Sequence, residues 1–230
     1  MTGLAAPVRS PIAKPIDSWW TVLAVDPLAV PVARLLAPHR RITPTGITLT
    51  SAAVAVVGIA LLAVGPLPAA ALVLYLRFFL DCLDGKLARA RGQTSAFGGA
   101  LDVVVDTLAI TGAHTALALR VFDDGGVALW GLLLVGAPLL TAWLRGLRRE
   151  GATPSSDPDR PLVPGTRLRR QPSTVEAEAL TLTLAPLTGN LTVVRGAIMV
   201  AVVYYLANSA RSIVVLLRTL RRADAAATAP

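Results

Sequence analysis

The stretch "DCLDGKLARARGQTSAFGGALDVVVD", residues 81–106, sets four aspartates in the flanks of two apolar segments. Asp81 and Asp84 are three residues apart, and Asp102 and Asp106 four apart, so each pair shares one helix face. Gly92 and Gln93 lie in the link between them. Two antiparallel helices joined there bring both acidic faces together at one membrane edge. Four negative charges in a low-dielectric setting repel strongly. A cation between them is therefore expected, and an all-oxygen donor set suits Mg²⁺ or Mn²⁺. Cys82 and His114 have the wrong spacing to make this a zinc site.

The rest of the chain reads as membrane. Of its 230 residues 54% are hydrophobic and 16% charged, and the mean hydropathy is +0.62. A bilayer core needs about 20 apolar residues per helix. Six runs approach that length: 48–64, 68–87, 96–121, 127–147, 175–188 and 192–220. The fifth is short and carries Glu176, Glu178 and Pro186. The fold expected is all-α integral membrane, with six transmembrane helices and a cytoplasmic interfacial helix at the N-terminus. The expected organisation is a tail and interfacial segment at 1–41, a six-helix membrane domain at 42–222 and a disordered tail at 223–230.

Charge sets the orientation. Basic residues cluster at 39–41, 86–91, 145–170 and 218–222, alternating with connections that hold none, "VGPLP", "VFDDGG" and "LTGN". Lys/Arg-rich loops stay cytoplasmic, so both termini and the aspartates are expected on the cytoplasmic side of the cell membrane. The net charge of +8 is spread among the spans and forms no separate basic domain, which argues against a nucleic-acid partner. Residues 1–16 have prolines and no apolar h-region, so no cleaved signal is expected. Residues 17–36 are apolar, with Trp19 and Trp20 suited to an interface, and Pro27 and Pro31 predict a broken helix. A Pro-Thr-Gly turn at 44–46 opens the first span, with Thr48 or Thr50 expected to satisfy open donors at the helix start. Cys82 is the only cysteine, which rules out an intramolecular disulfide.

Smaller readings surround the acids. Gly85, Ala88 and Gly98 leave free volume for close helix approach or a phosphorylated ligand. Arg77 precedes Asp81 by one turn and is expected to be its ion-pair partner, and Arg89 to meet a phosphate or an aspartate. His114 reads as a packed, hydrogen-bonded core residue. A transporter would place acids near the midplane of several helices and show internal repeats; here the acids lie at one edge and no repeat is visible.

The spacing Asp81-x2-Asp84-Gly85-x2-Ala88-Arg89-x8-Gly98-x3-Asp102-x3-Asp106 resembles, at every fixed position, the signature of the CDP-alcohol phosphatidyltransferases. That resemblance implies transfer of a phosphatidyl or similar substituted phosphate from a CDP-linked lipid donor to a small alcohol, with release of CMP, in phospholipid biosynthesis. It implies a metal pair on Asp81, Asp84, Asp102 and Asp106, with Asp102 and Asp106 catalytic and Asp106 the general base. It assigns nucleotide binding to Asp84, Gly85, Ala88, Arg89 and Gly98, and implies a homodimer in the bilayer. The acceptor is not part of the signature. Arg145, Arg148 and Arg211 are its candidates, although Leu147 and Ala179 stand where branches that use phosphorylated acceptors carry basic residues. Joining a CDP-linked polyol to a polar alcohol is the alternative reaction.

Overall fold

The computed structural model describes residues 12–151, 161–169 and 172–227, which form helices and no strand. Residues 1–11 and 228–230, and the middle of the polar loop, lie outside the described residues.

Local chemistry sets the helix ends. Helix α2 (Pro44–Val64) begins at Thr43, whose hydroxyl accepts from Gly46 N at 3.0 Å, with Pro44 in the first turn. The cap is thus Thr43 and not Thr48 or Thr50. Thr50 bonds back to Gly46 O at 2.8 Å, and Thr48 is used elsewhere. Helix α3 (Leu67–Ala90) ends in a Schellman turn: Gln93 N donates to Ala88 O at 2.8 Å and Gly92 N to Arg89 O at 3.2 Å. Gly92 has φ +63°, a left-handed conformation that a Cβ disfavours. Ser95 then caps α4 (Ala96–Val121), accepting from Gly98 N at 3.0 Å. Five residues thus separate two antiparallel helices, as the sequence predicts.

The prolines widen helices where a break was expected. Helix α1 spans 21–36, with a π turn at Thr21–Val25 followed by Asp26–Leu36. The ring of Pro27 would clash with the carbonyl four residues back, at Leu23, and the π turn contains Leu23. Pro31 lies inside the same helix. Helix α6 repeats this logic. It spans 174–187, and its π segment Ala179–Leu184 contains Leu182, four residues before Pro186. Helix α5 spans 124–151 and α7 is Leu191–Ala227, which continues into the stretch expected to be a frayed tail.

Helix α2 packs against both α3 and α4, and α5 packs on α7. A Cβ on Gly58 would lie 2.6 Å from Leu74 Cδ2, so a larger residue there would push the Leu74 side chain aside where α2 meets α3. Leu62, Leu74, Leu117, Ile198 and Tyr205 belong to the larger core cluster. At the opposite end from the aspartates, Arg120 donates to Leu62 O at 2.9 Å and Gly65 O at 2.6 Å, closing the open carbonyls of α2. Among the described residues three helices are long and apolar enough to cross a membrane: Pro44–Val64, Ala96–Val121 and Leu191–Arg221. Helix α3 has 24 residues but carries Arg77, Asp81, Asp84 and Lys86. Val56, Leu72, Val103 and Leu119 point outward from these helices, as lipid contact requires.

Candidate active site

The α3–α4 hairpin brings the acids to one end of the bundle, Asp81 and Asp84 near the close of α3 and Asp102 and Asp106 near the start of α4. They are not a bare cluster. Arg77 Nη2 lies 3.0 Å from Asp81 Oδ1 and 2.6 Å from Asp106 Oδ1, so one nitrogen joins the two helices. The expected Arg77–Asp81 pair is present, and Asp106 is its second partner. Among the described residues no three His, Cys, Asp or Glu side chains lie close enough together, as they stand, to hold one ion.

The other two aspartates differ in surroundings. Asp84 is 4% exposed and accepts from Thr48 Oγ1 at 2.5 Å. Thr48 is also buried, so α2 contributes directly to the acidic site. Asp102 Oδ1 is buried with no hydrogen-bond partner among the described residues. An orphaned buried carboxylate oxygen is rare in folded proteins, and an ion is one thing that explains it. The donor set is all oxygen, so the residues present fit a hard divalent cation.

The small residues have separate jobs. A Cβ on Gly85 would meet Arg89 Nη1 at 3.3 Å, so the absent side chain leaves room for the guanidinium one turn on. Arg89 Nε donates to Ile12 O at 2.8 Å, so the signature arginine holds the N-terminal segment. Gly98 N–H is taken by the Ser95 cap. Ala88 and Cys82 are half-buried.

A polar strap closes the same end of the bundle. Asp17 N donates to Arg167 O at 2.9 Å and Arg169 N to Asp17 O at 3.0 Å, pairing the N-terminal segment with the loop at 161–169. Trp19 Nε1 donates to Arg169 O at 2.5 Å, and Trp19 N to Glu176 Oε1 at 2.6 Å. Glu176 also completes the capping box of α6 with Ser173. Beneath the strap, Asp26 (5% exposed) pairs with Lys86 Nζ at 2.8 Å and Arg167 Nη2 at 2.5 Å. Lys86 reads in the sequence as a loop charge that sets topology, yet it is 3% exposed and its partner comes from α1. No periodicity marks this pair, because Asp26 and Lys86 are distant in sequence.

Beside Arg77 opens a small cleft. Its wall includes Trp20, Arg77 and Phe78, with Ile110 from α4 and Glu178 and Leu182 from α6. Glu178 reads in the sequence as a charge in the fifth apolar run and as the neighbour of Ala179, and neither reading places it beside Arg77. His114 is fully buried, and its Nε2 lies 3.1 Å from Thr181 Oγ1, as expected of a packed core histidine. Of the acceptor candidates, Arg211 lies exposed on α7 and does not line this cleft. The side chains of Arg145 and Arg148 lie outside the described residues.

Residues 41–157, just over half of the chain, match the model of the CDP-alcohol phosphatidyltransferase family. Among characterised proteins, the archaetidylinositol phosphate synthase of Pyrococcus horikoshii is 39% identical over 75 residues, which are 31% of this chain and 37% of that one. The inner membrane protein YnjF of Escherichia coli is 48% identical over 67 residues, 29% of this chain and 32% of that one. The chain thus spans about a third of the length of the curated relatives it matches. Among solved structures, the phosphatidylinositol phosphate synthase (PgsA1) of Mycobacterium tuberculosis, crystallised with manganese and citrate, superposes with a TM-score of 0.66. The overlap covers 83% of this chain and 89% of that one at 19% identity, which establishes a shared fold.

Proposed function

The chain belongs to the CDP-alcohol phosphatidyltransferase family, and from that premise we propose that it transfers a phosphatidyl group from a CDP-linked lipid to a small alcohol and releases CMP. The observation that carries this reading is the α3–α4 hairpin, which sets Asp81 and Asp84 near the close of one helix and Asp102 and Asp106 near the start of the next, with Arg77 bridging Asp81 and Asp106.

In this reading the four carboxylates hold Mg²⁺ or Mn²⁺, two ions in all. Bound there, divalent ions neutralise the donor's pyrophosphate and the charge that builds on the departing nucleotide. Asp106, with 40% of its side chain exposed, is the acid open to the acceptor. It takes the acceptor's hydroxyl proton as that oxygen forms its bond to phosphorus. The bond from phosphorus to the CMP oxygen breaks, and CMP leaves with the electron pair. Gly85, Ala88 and Gly98 border the nucleotide, and Arg89 lies beside it with Asp84. A bulky residue at 85 would displace the Arg89 guanidinium.

The fold serves a lipid donor. The six helical segments α2 to α7 act as six membrane spans over 42–222, with both termini and the acids on the cytoplasmic side. The donor's chains stay in the bilayer while its headgroup reaches the acids, and the soluble alcohol arrives from the cytoplasm. The working unit is a homodimer in the cell membrane. Arg145, Arg148 and Arg211 are the acceptor contacts in this reading.

The test is CMP release from CDP-diacylglycerol by purified protein in detergent, with Mn²⁺ or Mg²⁺ and a panel of polyol and phosphopolyol acceptors. Metal-dependent release with one acceptor is expected. A folded protein that binds neither metal nor CDP-lipid would sink the proposal.

Thr48 offers a sharper check. Its hydroxyl orients Asp84, so Thr48→Val keeps the shape and removes the donor. Groups that orient a metal ligand are typically worth about tenfold or more in metal affinity. A loss of about tenfold in Mn²⁺ affinity is expected for Thr48→Val, read by titration of the metal-stripped protein. An unchanged affinity would remove Thr48 from the site.

A further inference from the structure

Arg77 occupies the place where a cation shared between α3 and α4 would sit. Its side chain is 6% exposed, and a single nitrogen serves Asp81 and Asp106 together. Its Nε is buried with no hydrogen-bond partner, so the guanidinium is incompletely satisfied in this position. A divalent ion bound by Asp81 and Asp106 would compete for the two Oδ1 atoms that Arg77 now holds, and a guanidinium beside it would repel it. The arginine and the metal therefore oppose one another.

The cleft beside Arg77 gives it somewhere to go. Glu178 is the carboxylate on the cleft wall, facing the space that Arg77 also lines. Among the described residues Glu178 has no ion-pair partner. Arginine is long and has many rotamers, and Arg77 and Glu178 line the same cleft. With two divalent ions on four aspartates, the charges of those six groups cancel, which leaves Arg77 and Glu178 to balance each other.

We propose that Arg77 is the resident counter-ion of the metal-free site, and that metal binding displaces it across the cleft onto Glu178. Arg77 and Glu178 are positioning residues in this scheme. Arg77 keeps α3 and α4 together before the metal arrives, and Glu178 removes its charge from the reaction afterwards. The proposal rests on the metal-binding reading above.

The experiment is a double-mutant cycle on Mn²⁺ affinity, using Mn²⁺ alone with metal-stripped full-length protein in detergent and free Mn²⁺ read by electron paramagnetic resonance. Arg77→Gln removes the competitor, so Mn²⁺ should bind about tenfold more tightly while the metal-free protein melts at a lower temperature. Glu178→Gln should weaken Mn²⁺ binding about tenfold, and most of that loss should vanish in the Arg77→Gln background. A purely structural arginine would give the lower melting temperature without the tighter binding. Should Arg77→Gln not fold, Arg77→Lys, whose shorter reach weakens its hold on the two acids, is expected to tighten binding by a few-fold. Unchanged or weaker Mn²⁺ binding in the folded arginine variant overturns the proposal, as does an equal Glu178→Gln penalty in both backgrounds. Asp84→Asn separates the two levels. If wild type and Asp84→Asn bind Mn²⁺ alike or not at all, the metal reading fails and the counter-ion scheme with it.

Discussion

Asp106→Asn should slow CMP release by about 10³-fold or more at saturating metal and donor. Two losses combine. A positioned general base contributes about 10²- to 10⁴-fold, and an amide cannot take the proton. The substitution also removes a charged oxygen from the proposed metal set. The two amino acids have nearly the same shape, so the fold is retained. Asp106 is 40% exposed and reaches the rest of the site through Arg77, with which an amide oxygen can still hydrogen-bond at the observed 2.6 Å spacing. The measurement is single-turnover CMP formation by variant and wild type of matched monodispersity. A loss under tenfold would remove Asp106 from the chemistry and leave its contact with Arg77 as its whole role.

The second large effect concerns stability. Asp26→Ala should destabilise the protein by about 3–5 kcal/mol, because it leaves Lys86 buried and unpaired. Both partners are at most 5% exposed, so water cannot replace the lost carboxylate. Arg167, Asp26's other partner, has 32% of its side chain exposed and can turn to solvent. The cost therefore falls on Lys86, whose other contact is Cys82 O at 3.3 Å. Adding Lys86→Met to Asp26→Ala should recover most of the loss, since an apolar pair leaves no charge behind. Thermal unfolding in a fixed detergent would read both steps. A single variant within 1 kcal/mol (~1, the span of an exposed pair) of wild type would mean that the ion pair is dispensable.

These two sites differ in how far the sequence announces them. The aspartates are legible because helix geometry turns short spacings into shared faces, and because an acid inside an apolar run has few other reasons to exist. The hairpin was legible for the same reason, with Gly92 at the turn. Arg77 was assigned to Asp81 from one-turn spacing, but its second partner comes from another helix and no spacing rule reaches it. Thr48 was read as a cap because threonine near a helix start usually is one. Its bond to Asp84 depends on the packing of α2 against α3, which Gly58 permits. Asp26, Lys86 and Glu178 each looked like an ordinary charge near a span end. Their burial follows from the strap and from α6, and these depend on contacts between the two ends of the chain. The prolines at 27 and 186 were correctly seen as a disturbance, but a π turn absorbs each ring without ending the helix.

The strap also bears on the order in which the protein is made. Trp19 bonds to a carbonyl 150 residues later, at Arg169. With the ribosome adding about 5–20 residues each second, the N-terminal segment waits roughly 8 to 30 s before its partner exists. During that interval α2, α3 and α4 are already synthesised, while Trp19 and Asp17 lack their partners and Asp26 has only Lys86 to hold. The finished strapped end of the bundle is therefore a late event, and the nascent chain presents an open acidic site long before the strap can close beside it.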